Sequence, residues 1–429
     1  MSAGRSANPF IIFGLWLLSL AIVPAALAAG SGFSPQQRVG YSAGDQWEPS
    51  IAADGAGSVY VLYPQYGQVP GCADCRIPSM VLVLSNDNGA TWQPPREISP
   101  APSGQFDPQI VVDPADRHTV YASWLQNDKR DLVLAKSLDA GLTWSVMVAH
   151  STQFDIDKPV LAARGPNVYI GFNHRQTLWV AASHDAGMTF SVAEVSPNTR
   201  LAWSQAGGAT VDISGNVFFS WAAYSKSAGA KGPVTLYVSK STDGGPKWTT
   251  RLLDVSGAPP ECASAECDSD FLSAQITMTS DAAGTLYALW NAGVKDKGAQ
   301  RIYFSSSTTS GANWARKIDV SAAPKGVEHS FPAIAAGAAG DVRIAWMDAR
   351  HSLWNTFYRS STNGGASWSP ETQLSSYVPG YNYIQPRGFS FPFGDYFGIA
   401  IDNRGDAQVV WGEGMNYQAP GSIWYTTGR

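Results

Sequence analysis

Residue types able to do chemistry gather at a few points along the 429 residues. Asn173-His174-Arg175, Met347-Asp348-Ala349-Arg350 and Gly412-Glu413-Gly414 each set titratable or cationic side chains in a short connection. An Arg beside a carboxylate reads as a structural ion pair or as a clamp for an anion, because the guanidinium fork matches carboxylate oxygens. Residues 377–397 are denser still, with Tyr377, Tyr381, Tyr383, Phe389, Phe391, Phe393, Tyr396 and Phe397 beside Arg387 and Asp395. Such rings either stack on a ligand and offer a hydroxyl, or bury one another as a cover. Glu48, Asp107, Asp157, Asp270 and Asp395 stand at the heads of apolar runs. Carboxylates there cap and hydrogen-bond backbone, or together hold a cation.

The elements that position these residues come from a repeat. Ser85-x-Asp87-x-Gly89-x-Thr91-Trp92 returns as Ser137 to Trp144, Ser183 to Phe190 and Ser241 to Trp248, and in altered form as Ser307 to Trp314 and Ser361 to Trp368. In this motif Asp accepts backbone N–H bonds within a tight turn, Gly tolerates positive φ, and Trp pins the hairpin. Six copies roughly 46 to 66 residues apart form a strong repeat signal. Each copy follows the same strand grammar, opening at Glu48-Pro49, Asp107-Pro108, Lys158-Pro159 or Phe331-Pro332. Four short strands per repeat, alternating apolar and polar between turn residues, make an all-β propeller blade. A seventh set, residues 398–402, 407–411 and 423–426, lacks its fourth strand, and residues 36–40 can supply it. The expectation is seven blades closed by the N-terminal strand, with six as the alternative. First-strand starts and the ends of second strands then share one face, so the five acids ring the channel mouth and the motif turns lie opposite.

Bulk properties set the surroundings. Residues 1–28 read as a signal peptide, with Arg5, an apolar run over residues 10–23 and the small-x-small Ala26-Leu27-Ala28; residues 29–429 then form a single propeller domain. The expected location is secreted or periplasmic, with no membrane span in the mature chain. A net charge of −5 gives no reason to expect nucleic acid as partner. Cys72 with Cys75 and Cys262 with Cys267 suggest two local disulfides, a four-thiolate zinc site being the alternative. No cofactor is called for; a structural cation such as calcium is the inorganic ligand the acids allow, and a monomer suffices.

On its six motifs the chain resembles the sialidase superfamily, whose Asp-box (BNR) repeats build propellers. That resemblance implies glycan chemistry: a Tyr nucleophile assisted by Glu, and arginines for a sialate carboxylate. Tyr383 or Tyr396 with Glu413 fit the catalytic types, and Arg350, Arg387, Asp348, Tyr381, His174 and Arg175 the substrate-binding ones. Arg76-Ile77-Pro78 matches the family's Arg-Ile-Pro in composition but precedes a third strand; at the family's arginine position stands Glu48-Pro49. The function expected is a glycan-binding or glycan-cleaving propeller, with exo-sialidase hydrolysis as its specific enzymatic form. The alternatives are a non-catalytic scaffold for a glycan or protein, and a polysaccharide lyase using His174, Arg175 and Tyr383.

Overall fold

A computed structural model describes residues 1, 32–174, 176–195, 202–225, 230–261, 272–381, 384, 386, 388–390, 394–414 and 420–429. Residues 2–28 of the expected signal peptide, together with Cys262, Cys267, Asp270, Arg175, Tyr383 and Arg387, lie outside them.

The described strands form seven antiparallel sheets, five of which run from an inner to an outer strand in chain order. Blade 2, for example, is Phe106–Val112, Val120–Gln126, Asp131–Ser137 and Ser145–Ser151. The seventh sheet joins Gly398–Ile401, Ala407–Glu413 and Ser422–Gly428 to the N-terminal Gln37–Arg38. There Gln37 faces Tyr425 and Arg38 faces Trp424, while Ser34 N donates to Thr427 O at 2.8 Å and Val39 N to Ile423 O at 3.0 Å. Inner strands Gly398–Ile401 and Ser50–Ala53 lie against each other and close the ring. Blade 1 also gains a two-residue outlier, Asp45–Gln46, paired with Tyr66 and Gln65.

Burial departs from the expected alternation for a physical reason. Each sheet packs on a neighbour on both faces, so second strands such as Val342–Asp348 and Ala407–Glu413 are buried at every residue. Burial relaxes where packing ends, as in the largely solvent-facing outer strand Ser145–Ser151, where Met147, Ala149 and His150 are half-buried and Val146 and Val148 are exposed. The buried apolar side chains fall into clusters at the blade interfaces, one of which joins Val59, Val81 and Ile51 to Val410, Ile423 and Tyr425 across the closure.

The motif turns are held as their residue types require. Ser85 Oγ donates to Asp87 Oδ1 at 2.7 Å, Gly89 N donates to Ser85 Oγ at 2.9 Å, and Thr91 N donates to Asp87 Oδ1 at 2.8 Å. These bonds hold the Asp87 carboxyl down at about 2, the Thr91 hydroxyl contributing most. Where Asp is replaced, Thr309 Oγ1 takes Asn313 N at 2.9 Å and Asn363 Oδ1 takes Ser367 N at 2.9 Å, so the altered copies keep the turn. Cys72 and Cys75 are disulfide-bonded to each other. Among the described residues no helix is long and apolar enough to cross a membrane.

Candidate functional site at the channel mouth

Four inner strands begin with an unusual backbone. Glu48, Asp107, Lys158 and Phe331 each precede proline, and each has positive φ, at 49°, 54°, 51° and 54°. Proline already bars the residue before it from the right-handed helical region. A left-handed non-glycine residue there costs about 1–3 kcal/mol unless its surroundings insist on it. In blades 2, 3 and 6 the ladder slips at the same point, between Phe106 and Gln109, Asp157 and Val160, and Ser330 and Ala333. The X-Pro opening read from the sequence is therefore a strained bulge at the mouth.

Three of these strained side chains meet. Lys158 Nζ lies 2.9 Å from Asp107 Oδ1, 2.7 Å from Asp395 Oδ2 and 3.5 Å from Glu48 Oε1. Lys129, from the turn after the second strand of blade 2, sits 3.3 Å from Asp107 Oδ2 and 3.0 Å from Asp157 Oδ1. Asp395 reaches the cluster because Gly394 passes so near blade 1 that a Cβ there would lie 2.9 Å from Glu48 N. The Lys158 group is buried, whereas the side chains of Lys129 and Asp157 keep 33% and 23% of their surface exposed. Ion pairing, more than backbone capping, thus occupies Glu48, Asp107, Asp157 and Asp395.

The environment pushes these carboxyls apart. Burial lifts Glu48 well above its ordinary 4.5, with the Asp395 charge adding to it against Lys158. Burial lifts Asp157 as well, with Asp107 adding and both lysines opposing. For Asp107 burial acts upward too, but Lys158 and Lys129 outweigh it and hold the group below the carboxylate range. Burial works against the Lys158 ammonium, yet Asp107, Asp395 and Glu48 together raise it well above its ordinary value. Beneath the cluster an axial cavity of about 200 Å³ is lined from every blade, with Lys158, Gln205, Gln275 and Tyr396 among its polar residues.

Aromatic rings surround this floor. Trp47 packs on Tyr66 with centroids 5.1 Å apart, Tyr66 on Phe106 at 6.5 Å, and Lys129 Nζ lies 5.5 Å from the Phe106 centroid. Tyr396 lies 5.9 Å from Lys158 Nζ and donates to Pro108 O at 3.3 Å. All four rings are half-buried. Blade 3 extends the arc through Phe154, His174 and Trp179, with centroid separations of 6.1 and 5.6 Å. Sequence reasoning included His174 and Tyr396 but missed Trp47, Tyr66, Phe106 and Lys129; Phe106 and Tyr66 flank recognised strand ends, and that was the available signal.

The other expected site residues are placed elsewhere. Arg350 pairs with Asp348, Nε to Oδ1 at 2.8 Å, and with Glu371, and it lies over the Phe357 ring. Glu413 is fully buried; Trp411 Nε1 donates to its Oε2 at 2.9 Å and Gln36 Nε2 at 3.2 Å, and burial raises the carboxyl to about 8. Tyr381 packs edge-on against Trp424 at 5.2 Å, and Ile384, Phe389 and Phe397 from the same stretch join the core between blades 6 and 7. Asp348 and Arg350 are thus brought together, while Tyr396 and Glu413 belong to separate networks.

A repeat explains Asp348 and Glu413. Tyr63, Trp124, Phe172, Trp221, Trp290, Trp346 and Trp411 occupy the fifth or sixth position of the second strands, and all are buried. Trp346 Nε1 donates to Asp348 Oδ2 at 3.0 Å, as Trp411 does to Glu413. An acid two residues after a buried Trp satisfies the indole N–H, which would otherwise lack a partner. The recurring Trp-Leu-Gln, Trp-Met-Asp and Trp-Gly-Glu triplets carry that signal in the sequence.

No protein-family model matches the chain, and no curated protein matches it at a significant level. Solved structures do share its fold. A protein of unknown function from Dyadobacter fermentans superposes with a TM-score of 0.52 at 14% identity, over 93% of this chain and 99% of the other. An ulvan lyase, a polysaccharide lyase, superposes with a TM-score of 0.51 at 13% identity, over 90% of this chain and 95% of the other. The lyase bound to a -[GlcA(1-4)Rha3S]- fragment gives a TM-score of 0.50 at the same identity and coverage. At such identities the likeness establishes the architecture, a seven-bladed propeller of four-stranded antiparallel sheets.

Proposed function

We propose that this is an exported propeller that engages a glycan at the mouth of its central channel. The observation that carries the reading is the set of half-buried rings, Trp47, Tyr66, Phe106 and Tyr396, around a floor of carboxylates and ammonium groups. Sugar faces stack on such rings while their hydroxyls exchange hydrogen bonds with charged groups held in fixed positions. A fold shared with a lyase captured with a polysaccharide fragment supports the choice of ligand. An exo-sialidase form, with Tyr396, Glu413 and Arg350 acting on one sugar, finds less support, because each is engaged by its own partners. The test is retardation of the mature protein in native gels containing soluble polysaccharides. Phe106→Ala and Trp47→Ala should lose retardation with little change in melting temperature. Absence of retardation by every polysaccharide tried would refute the reading.

A further inference from the structure

Building on the glycan reading, we infer that the mouth is fitted to a glycan without carboxylate or sulfate groups, either uncharged or carrying amines. Recognition of an anionic sugar requires cations not already neutralised, since a guanidinium or ammonium bound to protein carboxylates must surrender them first. Among the described residues at this mouth the buried and half-buried lysines are committed. Lys158 touches Glu48, Asp107 and Asp395, and Lys129 touches Asp107 and Asp157. Farther out, Arg350 is committed to Asp348 and Glu371.

The described rim around Lys129 adds acid rather than base. Asp128 and Asp155 are exposed and Asp131 is half-buried, against the exposed Arg130. Asp131 Oδ1 accepts Ser151 Oγ at 2.7 Å and so stands fixed at the edge of blade 2. A uronate or sulfated polymer approaching this side meets a field of its own sign. A neutral sugar is not repelled, and an ammonium is attracted. The shared fold with a lyase captured on a uronate-containing fragment therefore does not carry that substrate's charge over to this chain.

The experiment sets neutral polysaccharides (arabinan, galactan, xylan) and chitosan oligomers against polygalacturonate, sulfated dextran and a sialylated oligosaccharide, with the mature protein. We expect binding to at least one neutral or amine-bearing glycan. Neutral-glycan binding should change less than about twofold between ~50 and ~500 mM salt, because it releases few counterions. Phe106→Ala should weaken it about tenfold, as loss of one stacking ring implies. Binding to anionic glycans alone, weakening as salt rises, would overturn this inference and leave glycan engagement standing. Binding to none of the panel would overturn both. A variant with Asp128, Asp131 and Asp155 changed to Asn gives a second readout: anionic glycans should bind more tightly than to the parent, and no change would contradict the charge argument.

Discussion

Lys158 is the residue on which the mouth depends most, because three buried carboxylates are packed around one buried ammonium. Removing one side of a buried charge set leaves the other uncompensated, at a cost of about 3–5 kcal/mol. Lys158→Met should therefore lower unfolding stability by that amount in denaturant titrations. Adding Glu48→Gln and Asp107→Asn should recover a large part of it; if the single variant melts like the parent, the cluster is not a buried network. Glu413 makes a second residue-scale prediction. Its carboxyl is raised from 4.5 to about 8, so the folded chain holds a proton that the unfolded chain releases. Its stabilising contribution is complete below the unfolded value and is lost as pH rises through the folded one. Glu328, lifted to about 8 by burial, acts in the same direction. Between about pH 5 and 8 the melting temperature of Glu413→Gln should fall less steeply than that of the parent; equal slopes would mean the group titrates as if exposed.

At the scale of elements, the motif turns and the mouth loops divide the labour. Trp92 leans edge-on against Tyr425 with centroids 4.8 Å apart, linking the turn of blade 1 to the last strand of the ring. Trp92→Ala should cost about 3 kcal/mol, as loss of a large packed ring does. Glycan retardation should be unchanged, since that turn lies on the face opposite the mouth; selective loss of binding would reverse the assignment of faces. The motif was legible because Ser85, Asp87, Gly89 and Thr91 act within seven residues. The aromatic stretch over residues 377–397 was harder to read. Tyr381, Phe389 and Phe397 look the same in sequence whether they face a ligand or Trp424 and Trp354.

Closure is the property of the whole molecule. Gln37–Arg38 completes the seventh sheet, and Gln36 also reaches Glu413 in the strand two places inward. Deleting residues 32–44 should lower the melting temperature of the entire ring and broaden the transition, because an unpaired edge and an open interface would be left on blade 7. Calorimetry that shows the deleted protein melting cooperatively at the parent's temperature would rule this out.

The blade count, the strand closing the ring and the turns on its far side follow from the sequence alone. Each rests on residues close in the chain or on a period that repeats along it. Local hydrogen bonding selects Ser, Asp and Gly at fixed spacing whatever lies beyond. The mouth was a tertiary matter. Glu48, Asp107, Lys158 and Asp395 stand in four different blades, and only ring closure sets the first beside the last. Spacing in sequence carries no record of that distance, so acids visible at strand starts did not reveal the lysine that binds them. The same holds for Arg350 and Glu413: their types suggest substrate binding and catalysis, and only the tertiary structure shows them engaged with Glu371 and Trp411.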